Sequence, residues 1–320
     1  MDRSGPVAEL RRAVRNFAVR HGVDGERWCV ALSGGPDSLA LTAVAVRLRA
    51  TVALIVDHGL QADSAAVAET ARRQALELGC ADARVLAVAV GTAGGPEAAA
   101  REARYEALRA AGGGAPVLLG HTLDDQAETV LLGLGRGSGA RSIAGMRPYQ
   151  PPWCRPLLGV RRAVTHAACD QLGLTPWHDP HNVDAAFTRS RLRVEVLPLV
   201  EEVLGGGVAE ALARTAAALR EDCDALDDLA LSELAAAVAD EGLDTARLAE
   251  LPDAVRRRVI RGWLLANGAT NLTDRQIRGV DILVTAWRGQ GGVAVGSALR
   301  RQRLIAARSD GKLRLRREPV

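Results

Sequence analysis

The stretch Ser33-Gly34-Gly35-Pro36-Asp37-Ser38 decides the fold class, because it joins a short apolar run to a helical one. The run before it, residues 28–32, predicts a buried strand, and residues 39–48 have helical spacing. Two adjacent glycines permit a sharp turn and expose several backbone N–H groups. With the positive end of the helix dipole, such a turn can hold phosphate without a lysine. The alternative is an ordinary Gly-Pro-Asp turn with Asp37 in the first helical turn.

The alternation of strands and helices continues along the chain. Further strands are predicted over residues 51–56, 85–90 and 116–120, and helices over residues 63–78, 97–110 and 123–134. This order predicts an α/β fold with a parallel sheet and right-handed crossovers, in which ligands lie beyond the carboxyl ends of the strands. The polar turns after Leu32, Val56 and Gly120 are therefore predicted to meet at one edge.

The remainder of the chain predicts a smaller domain. The proline-rich residues 146–158 are predicted to cross the surface as an extended segment, and Gly205-Gly206-Gly207 is the predicted hinge. Helices are predicted over residues 208–238, 252–266 and 273–287, and Thr273 with Gln276 predicts a capping box at the start of the last one. Three short β runs follow in residues 293–317. We therefore expect a first domain at 1–205, a helical domain at 208–290 and a basic β tail at 291–320.

Composition excludes several classes of site. Of the 41 basic residues only Lys312 is a lysine, so a Walker A loop is excluded and a Schiff-base enzyme is disfavoured, whether or not codon bias explains the composition. The five cysteines form no CxxC pair, which disfavours a zinc ribbon, an iron–sulfur site and a CxxC redox centre. The N-terminus shows no apolar signal segment and no apolar run approaches a membrane span. These features predict a cytoplasmic protein with reduced thiols and no membrane partner.

The net charge of +3 is unevenly distributed. Residues 251–320 hold 15 basic and five acidic residues, whereas residues 1–250 hold 26 basic and 33 acidic ones. A second basic zone, residues 136–193, has nine arginines and three aspartates. Two basic zones on an otherwise acidic chain favour a polyanionic partner, with arginines scattered over solvated faces as the alternative.

Two motifs place polar groups near the predicted edge. Asp57 and His58 follow the second strand and border a ligand there, unless they only form a polar turn. Arg101 and Arg104 are spaced by about one helical turn, which suits either a phosphate clamp or ion pairs on a solvated face.

The segment 120–129 carries the acidic candidates. His121 lies at the end of a predicted strand, where it is a general base, a phosphate contact or a structural residue. Asp125 and Glu128 share one face of the following helix, as do Asp124 and Glu128. They suit Mg²⁺ or a cationic substrate, and otherwise only favour a helix N-terminus.

Arginines accompany two later segments. Arg136 and Arg141 lie in a glycine-rich loop that suits backbone contacts. Arg189, Arg191 and Arg193 precede an apolar helix, where they either contact RNA or nucleotide phosphate or belong to a capped amphipathic helix.

The glycine turn resembles the PP-loop of N-type ATP pyrophosphatases, SGGxDS. That resemblance implies an adenine-nucleotide-binding α/β domain that cleaves ATP to AMP and pyrophosphate and adenylates a carbonyl-type oxygen. The complete set of motifs over residues 28–200 resembles the tRNA(Ile)-lysidine synthetases. These motifs are SGGPDS, VDHGL, RxxRY, GHTLDDQAET, RGSGxR, RPLL at 155–158 and DPxN…FxRxRxR…LP.

The resemblance implies a reaction and its partners. Free L-lysine would be joined to C2 of cytidine 34 in the isoleucine tRNA with a CAU anticodon, after ATP adenylates the C2 oxygen. The cofactors implied are ATP and Mg²⁺. The oligomeric state stays open, with a homodimer as one option. The resemblance implies a PP-loop catalytic domain at 1–205 and a helical tRNA-binding domain at 208–290. Longer members carry an extra C-terminal tRNA-binding domain, for which residues 251–320 are expected to substitute here.

Residue roles follow from the same resemblance. The ATP-binding set is Ser33, Gly34, Gly35, Pro36, Asp37, Ser38, Asp57 and His58. The catalytic set is Asp37, Arg104, His121 and Asp125. Asp37 and Asp125 would hold the metal, and Asp125 and Glu128 the lysine amine. The tRNA or phosphate contacts would be Arg136, Arg141, Arg189 and Arg193.

The chain departs from the family pattern at two places. His181-Asn182 stands where the family usually has Ser-Asn, and Arg189-Ser190 where it has Arg-Asn. The competing hypotheses are a tRNA thiolase built on the same loop, which usually needs paired cysteines or a cluster, and a nucleotide-sensing module that binds ATP without releasing pyrophosphate.

Overall fold

The computed structural model describes residues 4–59, 63–91, 95–137, 139–179, 186–239, 242–297 and 302–319. The chain divides into two compact units, one of residues 1–137 and 142–217 and the other of residues 138–141 and 218–320. The boundary after Ala217 falls inside a long helix, beyond the expected hinge at Gly205–Gly207.

A six-stranded sheet forms the centre of the first unit. Its strands are β1 Arg27–Ala31, β2 Ala50–Asp57, β3 Asp82–Ala87, β4 Val117–Leu118, β5 Tyr149–Gln150 and β6 Trp153–Cys154. They lie in the order β3-β2-β1-β4-β6-β5, and each neighbouring pair is parallel except β5 and β6. The predicted parallel α/β sheet is thereby confirmed.

Helices cover both faces of this sheet. Those within residues 4–203 are α1 Pro6–His21, α2 Pro36–Ala45, α3 Ser64–Glu77, α4 Pro96–Gly112, α5 Leu123–Arg136, α6 Ala140–Ile143, α7 Arg162–Leu172, α8 Thr188–Arg191 and α9 Leu197–Val203. On one face, Leu10 of α1 and Leu39 of α2 pack with Val30 of β1, and on the other Leu108 of α4 packs with Cys29. Adjacent residues of β1 thus point to opposite faces, as expected for a strand covered on both sides.

The prediction that residues 146–158 cross the surface is wrong. This segment supplies β5 and β6, and residues 153–158 are buried. Trp153 and Cys154 pair with β4, and the Trp153 ring packs edge-on against Tyr105 with centroids 4.7 Å apart. The prolines fall in the turn and flanks of a short hairpin at the edge of the sheet, where Pro is tolerated.

The second unit combines helices and an antiparallel sheet. Its elements after the boundary are the remainder of α10 Val208–Ala237, then β7 Val238–Ala239, β8 Gly242–Asp244, α11 Thr245–Glu250, α12 Asp253–Ala266, α13 Asp274–Thr285, β9 Val293–Val295, β10 Gln302–Ser309 and β11 Lys312–Pro319. The sheet order is β7-β8-β11-β10-β9. Thr273 and Gln276 form the predicted capping box at the start of α13.

Helices and strands of this unit share one core. Leu304 and Leu313 from the strands are buried with Ile260 of α12 and Leu283 of α13. The three β runs at 293–319 therefore belong to the same folding unit as the helices, which differs from the separate tail expected at 291–320. Within the described residues, no helix is long and apolar enough to span a membrane.

Candidate active site

The carboxyl ends of four adjacent strands form one edge of the first unit's sheet. In the order β2-β1-β4-β6, these strands lead into His58, Ser33, His121 and Arg155. Because all four strands run parallel, the turns predicted to meet after Leu32, Val56 and Gly120 do so.

The glycine turn is held in one shape by its own hydroxyl groups. The backbone N–H of Ser33 donates to Ser38 Oγ at 3.2 Å, and Ser38 Oγ donates to the carbonyl of Gly35 at 3.0 Å. Gly34 has a φ of 81°, a left-handed conformation that favours glycine. Gly35 is the N-cap residue of α2, and no side chain forms a capping hydrogen bond there. The first N–H groups of α2 are therefore available to an anion.

Asp37 lies in the first turn of α2 and faces α7. Thr165 Oγ1 donates to its Oδ1, and Arg162 Nε lies 3.6 Å from its Oδ2. Burial raises the pKa of Asp37, and the nearby Asp125 raises it further, against the hydrogen bond from Thr165. An additional positive charge at this carboxylate would therefore be stabilising.

Asp125 belongs to the capping box at the start of α5. The backbone N–H and the hydroxyl of Thr122 both donate to Asp125 Oδ2 at 2.8 Å. Burial alone would raise the pKa of Asp125, but Arg162 and the Thr122 bonds hold it below its usual value. Asp125 is therefore ionised at neutral pH, one helical turn before the fully buried Glu128.

Arg162, which belongs to none of the sequence motifs, connects these carboxylates. Its Nη2 donates to Asp125 Oδ1 at 2.7 Å and to Glu128 Oε1 at 3.2 Å, and its backbone N–H donates to Asp124 Oδ2 at 2.7 Å. The carboxylates raise the pKa of Arg162 against the effect of burial. Arg162 lies at the start of α7, where a positive charge opposes the helix dipole. This unfavourable placement is the sequence feature from which Arg162 could have been predicted as a functional residue.

Arg193 is the second guanidinium on the same carboxylates. Its Nε donates to Glu128 Oε1 at 2.8 Å, and its Nη2 lies 3.4 Å from Asp125 Oδ1. Asp37, Asp125 and Glu128 thus face Arg162 and Arg193, which leaves one negative charge in excess among these five residues. One monovalent cation would complete the neutralisation of this group.

A basic group lies beside this acidic one. Arg104 is half-buried and forms no ion pair with any carboxylate in the described parts of the chain. Burial lowers the pKa of Arg104, and Arg101 and Arg189 lower it further. His58 lies within the field of Arg104, which adds to burial in lowering the pKa of this imidazole. The arrangement favours a bound anion.

His121 is an uncharged member of the same region. Burial lowers the pKa of His121 to about 3, the nearby Asp125 opposes this, and Arg155 and Arg104 reinforce it. Its Nδ1 is buried, and no described residue is within hydrogen-bond distance of it. At neutral pH the imidazole is therefore a neutral hydrogen-bonding group and a weak base.

The other predicted arginines lie in different surroundings. Arg141 donates from Nη1 to Asp227 Oδ2 at 2.6 Å, and Arg258 Nε donates to the same carboxylate at 2.9 Å. Arg189 Nη2 lies 3.5 Å from Thr129 Oγ1, and Arg136 lies exposed in the last turn of α5. Leu60 of the VDHGL motif and His181-Asn182 lie outside the described residues.

Family models match both units. Residues 7–200 match a PP-loop domain, and residues 243–313 match the TilS substrate binding domain. Among solved structures, the fold is similar to a U34-tRNA thiolase, NcsA from Methanococcus maripaludis with its [4Fe-4S] cluster. The TM-score is 0.57 at 18% identity, over 68% of this chain and 80% of that one. This likeness concerns the fold alone.

Curated relatives match along the whole chain. The tRNA(Ile)-lysidine synthase of Mycobacterium tuberculosis is 74% identical over 324 residues, which cover 100% of both chains. The enzyme of the same name from Nocardia farcinica is 64% identical over 313 residues, which cover 97% of this chain and 98% of that one. At this identity and coverage, the chain belongs to the tRNA(Ile)-lysidine synthase family.

Proposed function

We propose that this chain ligates L-lysine to C2 of cytidine 34 in the isoleucine tRNA with a CAU anticodon, with cleavage of ATP to AMP and pyrophosphate. It is an ATP-dependent carbon–nitrogen ligase that acts on tRNA in the cytoplasm. The observation that carries the proposal is the position of an acidic group with one uncompensated charge beside a glycine turn with open N–H groups. An amine and a nucleotide can therefore bind side by side. The modified base would pair with A instead of G, which switches the codon read from AUG to AUA.

The glycine turn binds the phosphates of ATP. The phosphate oxygens accept hydrogen bonds from the N–H groups at the start of α2 and from the hydroxyls of Ser33 and Ser38. Asp57 and His58 border the nucleotide. The absence of a side-chain cap on α2 supports this assignment, since bound phosphate would satisfy the open N–H groups.

Asp37 and Asp125 are the proposed ligands of Mg²⁺, which would screen the phosphate charge when bound. Within the described residues, no group of three His, Cys, Asp or Glu side chains could hold a metal ion alone. This fits Mg²⁺, which takes one or two carboxylates and completes its shell with phosphate oxygens and water. Asp37 is the better ligand of the two, because both oxygens of Asp125 already accept hydrogen bonds.

Asp125 and Glu128 bind the amine of L-lysine. The excess negative charge of their group suits one ammonium, and the low pKa of Asp125 keeps this carboxylate ionised. The C2 oxygen of the cytidine attacks the α-phosphorus and pyrophosphate leaves. The ε-ammonium loses a proton to Glu128, because the low pKa of Asp125 makes that carboxylate a weak base. The amine then attacks C2, and AMP leaves with the oxygen.

Arg104 and His121 contact the reacting phosphate. Arg104 has no carboxylate partner among the described residues, so its charge is available to the transition state. The low pKa of His121 favours a neutral hydrogen-bond contact over a general base.

The tRNA binds through the basic zones. In the basic zone at residues 136–193, the proposed contacts are Arg136, Arg141, Arg189 and Arg193. Arg141 and Arg193 are engaged by carboxylates, so RNA phosphate would compete with Asp227 and Glu128 for them. The second unit adds the positive charge of residues 251–320.

An ATP–pyrophosphate exchange assay tests the proposal. We expect exchange to require the CAU-anticodon isoleucine tRNA. In a parallel incubation, we expect radiolabelled lysine to be incorporated into that tRNA. Exchange that needs lysine but no tRNA would mean that the amino acid is activated, and the proposed mechanism would be wrong.

The same assay separates the competing hypotheses. A nucleotide-sensing module would bind ATP without releasing pyrophosphate. A thiolase would depend on cysteines, and all five here are buried free thiols. Their replacement by serine or alanine is expected to leave lysine incorporation intact where the variants fold.

A further inference from the structure

Arg155, directly after β6, is a buried cation without an anionic partner among the residues that the structure describes. It is 6% exposed, and its Nη1 donates to the carbonyl oxygen of Arg147 at 2.9 Å. Its Nε is buried and has no hydrogen-bond partner in the described part of the chain. Within the described residues, no carboxylate lies within ion-pair distance of it.

The other deeply buried arginine among the described residues has the carboxylate partners that Arg155 lacks. Arg256 is 5% exposed, and its Nε and Nη2 donate to Asp281 and Asp253, each at 2.6 Å. A buried charge is costly unless it is paired and hydrogen-bonded. Arg155 has the burial of Arg256 without its carboxylates, so a bound anion would remove an existing electrostatic cost.

The position of Arg155 is at the edge that carries the candidate active site. β6 pairs with β4, where the N–H of Leu119 donates to the carbonyl of Cys154 at 2.8 Å, two residues before His121. The backbone of residues 146–148 lies between Arg155 and α5. Gln126 of α5 binds Met146 in both directions, at 2.7 and 3.1 Å, while Arg155 binds the next carbonyl. One backbone segment therefore separates Arg155 from α5, whose first turn carries Asp125.

We propose that Arg155 binds an oxyanion of a substrate at this edge of the sheet, an inference that rests on the proposed function. Two substrates supply such an anion. The α-carboxylate of lysine has no ligand among the residues assigned above, whereas the ATP phosphates already have the glycine turn. The chemistry is shared, a guanidinium that donates to an oxyanion, and binding measurements distinguish the two sources.

The test compares Arg155→Gln with Arg109→Gln. Glutamine at 155 keeps a donor for the carbonyl of Arg147 but removes the charge. Arg109 is exposed in the same unit, with its guanidinium 5.7 Å from the Trp153 ring, so its replacement makes the same change in net charge. Calorimetric titration of each full-length protein with L-lysine, 1,5-diaminopentane and ATP gives the dissociation constants. 1,5-Diaminopentane is lysine without its carboxylate.

Each source predicts its own pattern. If Arg155 binds the carboxylate, the wild type prefers lysine over 1,5-diaminopentane by roughly 10- to 100-fold, and Arg155→Gln loses that preference with ATP affinity unchanged. If it binds a phosphate, Arg155→Gln weakens ATP by the same factor and keeps the preference. Arg109→Gln matches the wild type in both cases.

A folded Arg155→Gln that matches Arg109→Gln for all three ligands overturns the inference, because Arg155 would then only hold the turn at 146–148. Cooperative thermal unfolding establishes that the variant is folded. Should it not fold, Arg155→Lys, which keeps the charge but loses the planar fork, is expected to weaken the same ligand, and unchanged affinities there overturn the inference too.

Lysine incorporation into tRNA by the wild type is measured separately. Incorporation together with unaffected affinities in Arg155→Gln rejects this inference alone. Absence of incorporation rejects the proposed function, while the titrations still report on Arg155.

Discussion

The Asp37 carboxyl group lies at the start of α2 in surroundings that disfavour its charge. Burial and Asp125 raise its pKa, so the folded state binds a proton more readily than the unfolded state. Stability therefore falls as pH rises through the folded pKa, and the ionised group is unfavourable at pH 7. We expect Asp37→Asn to raise the free energy of unfolding by up to about 1 kcal/mol while abolishing AMP formation. Urea unfolding and an AMP assay measure the two effects, and normal turnover would remove the metal role of Asp37.

The His121 imidazole predicts a pH dependence of opposite sign. Its pKa falls from the ordinary 6.5 to about 3 in the folded state, so the unfolded chain binds the extra proton between these values. This contribution to stability is complete above pH 6.5 and is lost as pH falls. Between pH 7 and pH 5 the free energy of unfolding falls by at most about 2 kcal/mol through this group. We expect this pH-dependent decrease to be absent in His121→Asn. Urea unfolding at both pH values measures this, with the exposed His178→Asn as the matched control. An unchanged pH dependence in His121→Asn would contradict the assignment.

Arg162 and Arg161 are adjacent arginines with different expected contributions. Arg162 donates to the fully buried Glu128, whereas the side chain of Arg161 is 39% exposed and lies 3.5 Å from Glu201. Removing one partner of a buried ion pair is far more destabilising than removing an exposed one. We expect Arg162→Gln to lower the free energy of unfolding by about 1–3 kcal/mol, since Arg193 still compensates Glu128, and Arg161→Gln by less than about 1 kcal/mol. Thermal unfolding of both variants gives the comparison, and equal losses would show that the Arg162 contacts are not special.

For individual helices and strands, the local sequence was sufficient to predict structure where neighbouring residues determine it. The glycine turn predicts a helix after it, and α2 begins at Pro36, three residues before the predicted residue 39. Thr273 with Gln276 predicts the start of α13, which is confirmed. The candidate residues after β1, β2 and β4 could be predicted to meet because parallel strands end at one edge. Their roles stay predictions.

Contacts between residues distant in sequence could not be predicted from local patterns. Nothing in residues 146–158 indicates that Trp153 pairs with Val117 across the sheet, because the short strand β6 is stabilised by its neighbours and not by its own periodicity. Likewise, Arg162 at the start of α7 meets Asp125 at the start of α5 only through the tertiary fold. The sequence therefore predicts the acidic group but not the guanidinium groups that occupy it.

The approach of β4 to α2 gives a prediction for the glycine turn. A Cβ atom at Gly120 would lie 3.0 Å from the backbone nitrogen of Ser38 and 3.1 Å from the carbonyl carbon of Asp37. Because these are backbone atoms of the turn, they yield only by moving the phosphate site. We expect Gly120→Ala to weaken ATP binding at least tenfold and to lower stability by about 1–3 kcal/mol. Gly159→Ala, where a Cβ meets nothing within 4 Å, is the matched control in the same nucleotide titration. Equal ATP affinities in the two variants would show that the turn adapts.

In the second unit, the alternation of side chains along β11 places two of its arginines on the face of the sheet that points away from the core. Leu313 and Leu315 of β11 pack into the core, so Arg314 and Arg316 point outward, about 6.7 Å apart along the strand. Both arginines are exposed, and neither forms an ion pair with a carboxylate in the described part of the chain. Opposite them on β10 lie Ala307 and Ile305, which carry no charge. This outward face therefore presents unneutralised positive charge to a polyanion.

Binding of the isoleucine tRNA should accordingly depend steeply on salt. Each phosphate contact by an arginine releases counterions and adds about one to the slope of log affinity against log salt concentration. We expect the double variant Arg314→Ala and Arg316→Ala to weaken tRNA binding and to lower the slope by one to two, with ATP affinity unchanged. Arg278→Ala is the control for loss of an exposed arginine, because Arg278 is also exposed but is paired with Asp274 at 2.5 Å. Filter binding over a salt series measures the slopes, and a salt-insensitive wild type, or equal slopes in the two variants, would place the RNA on another surface.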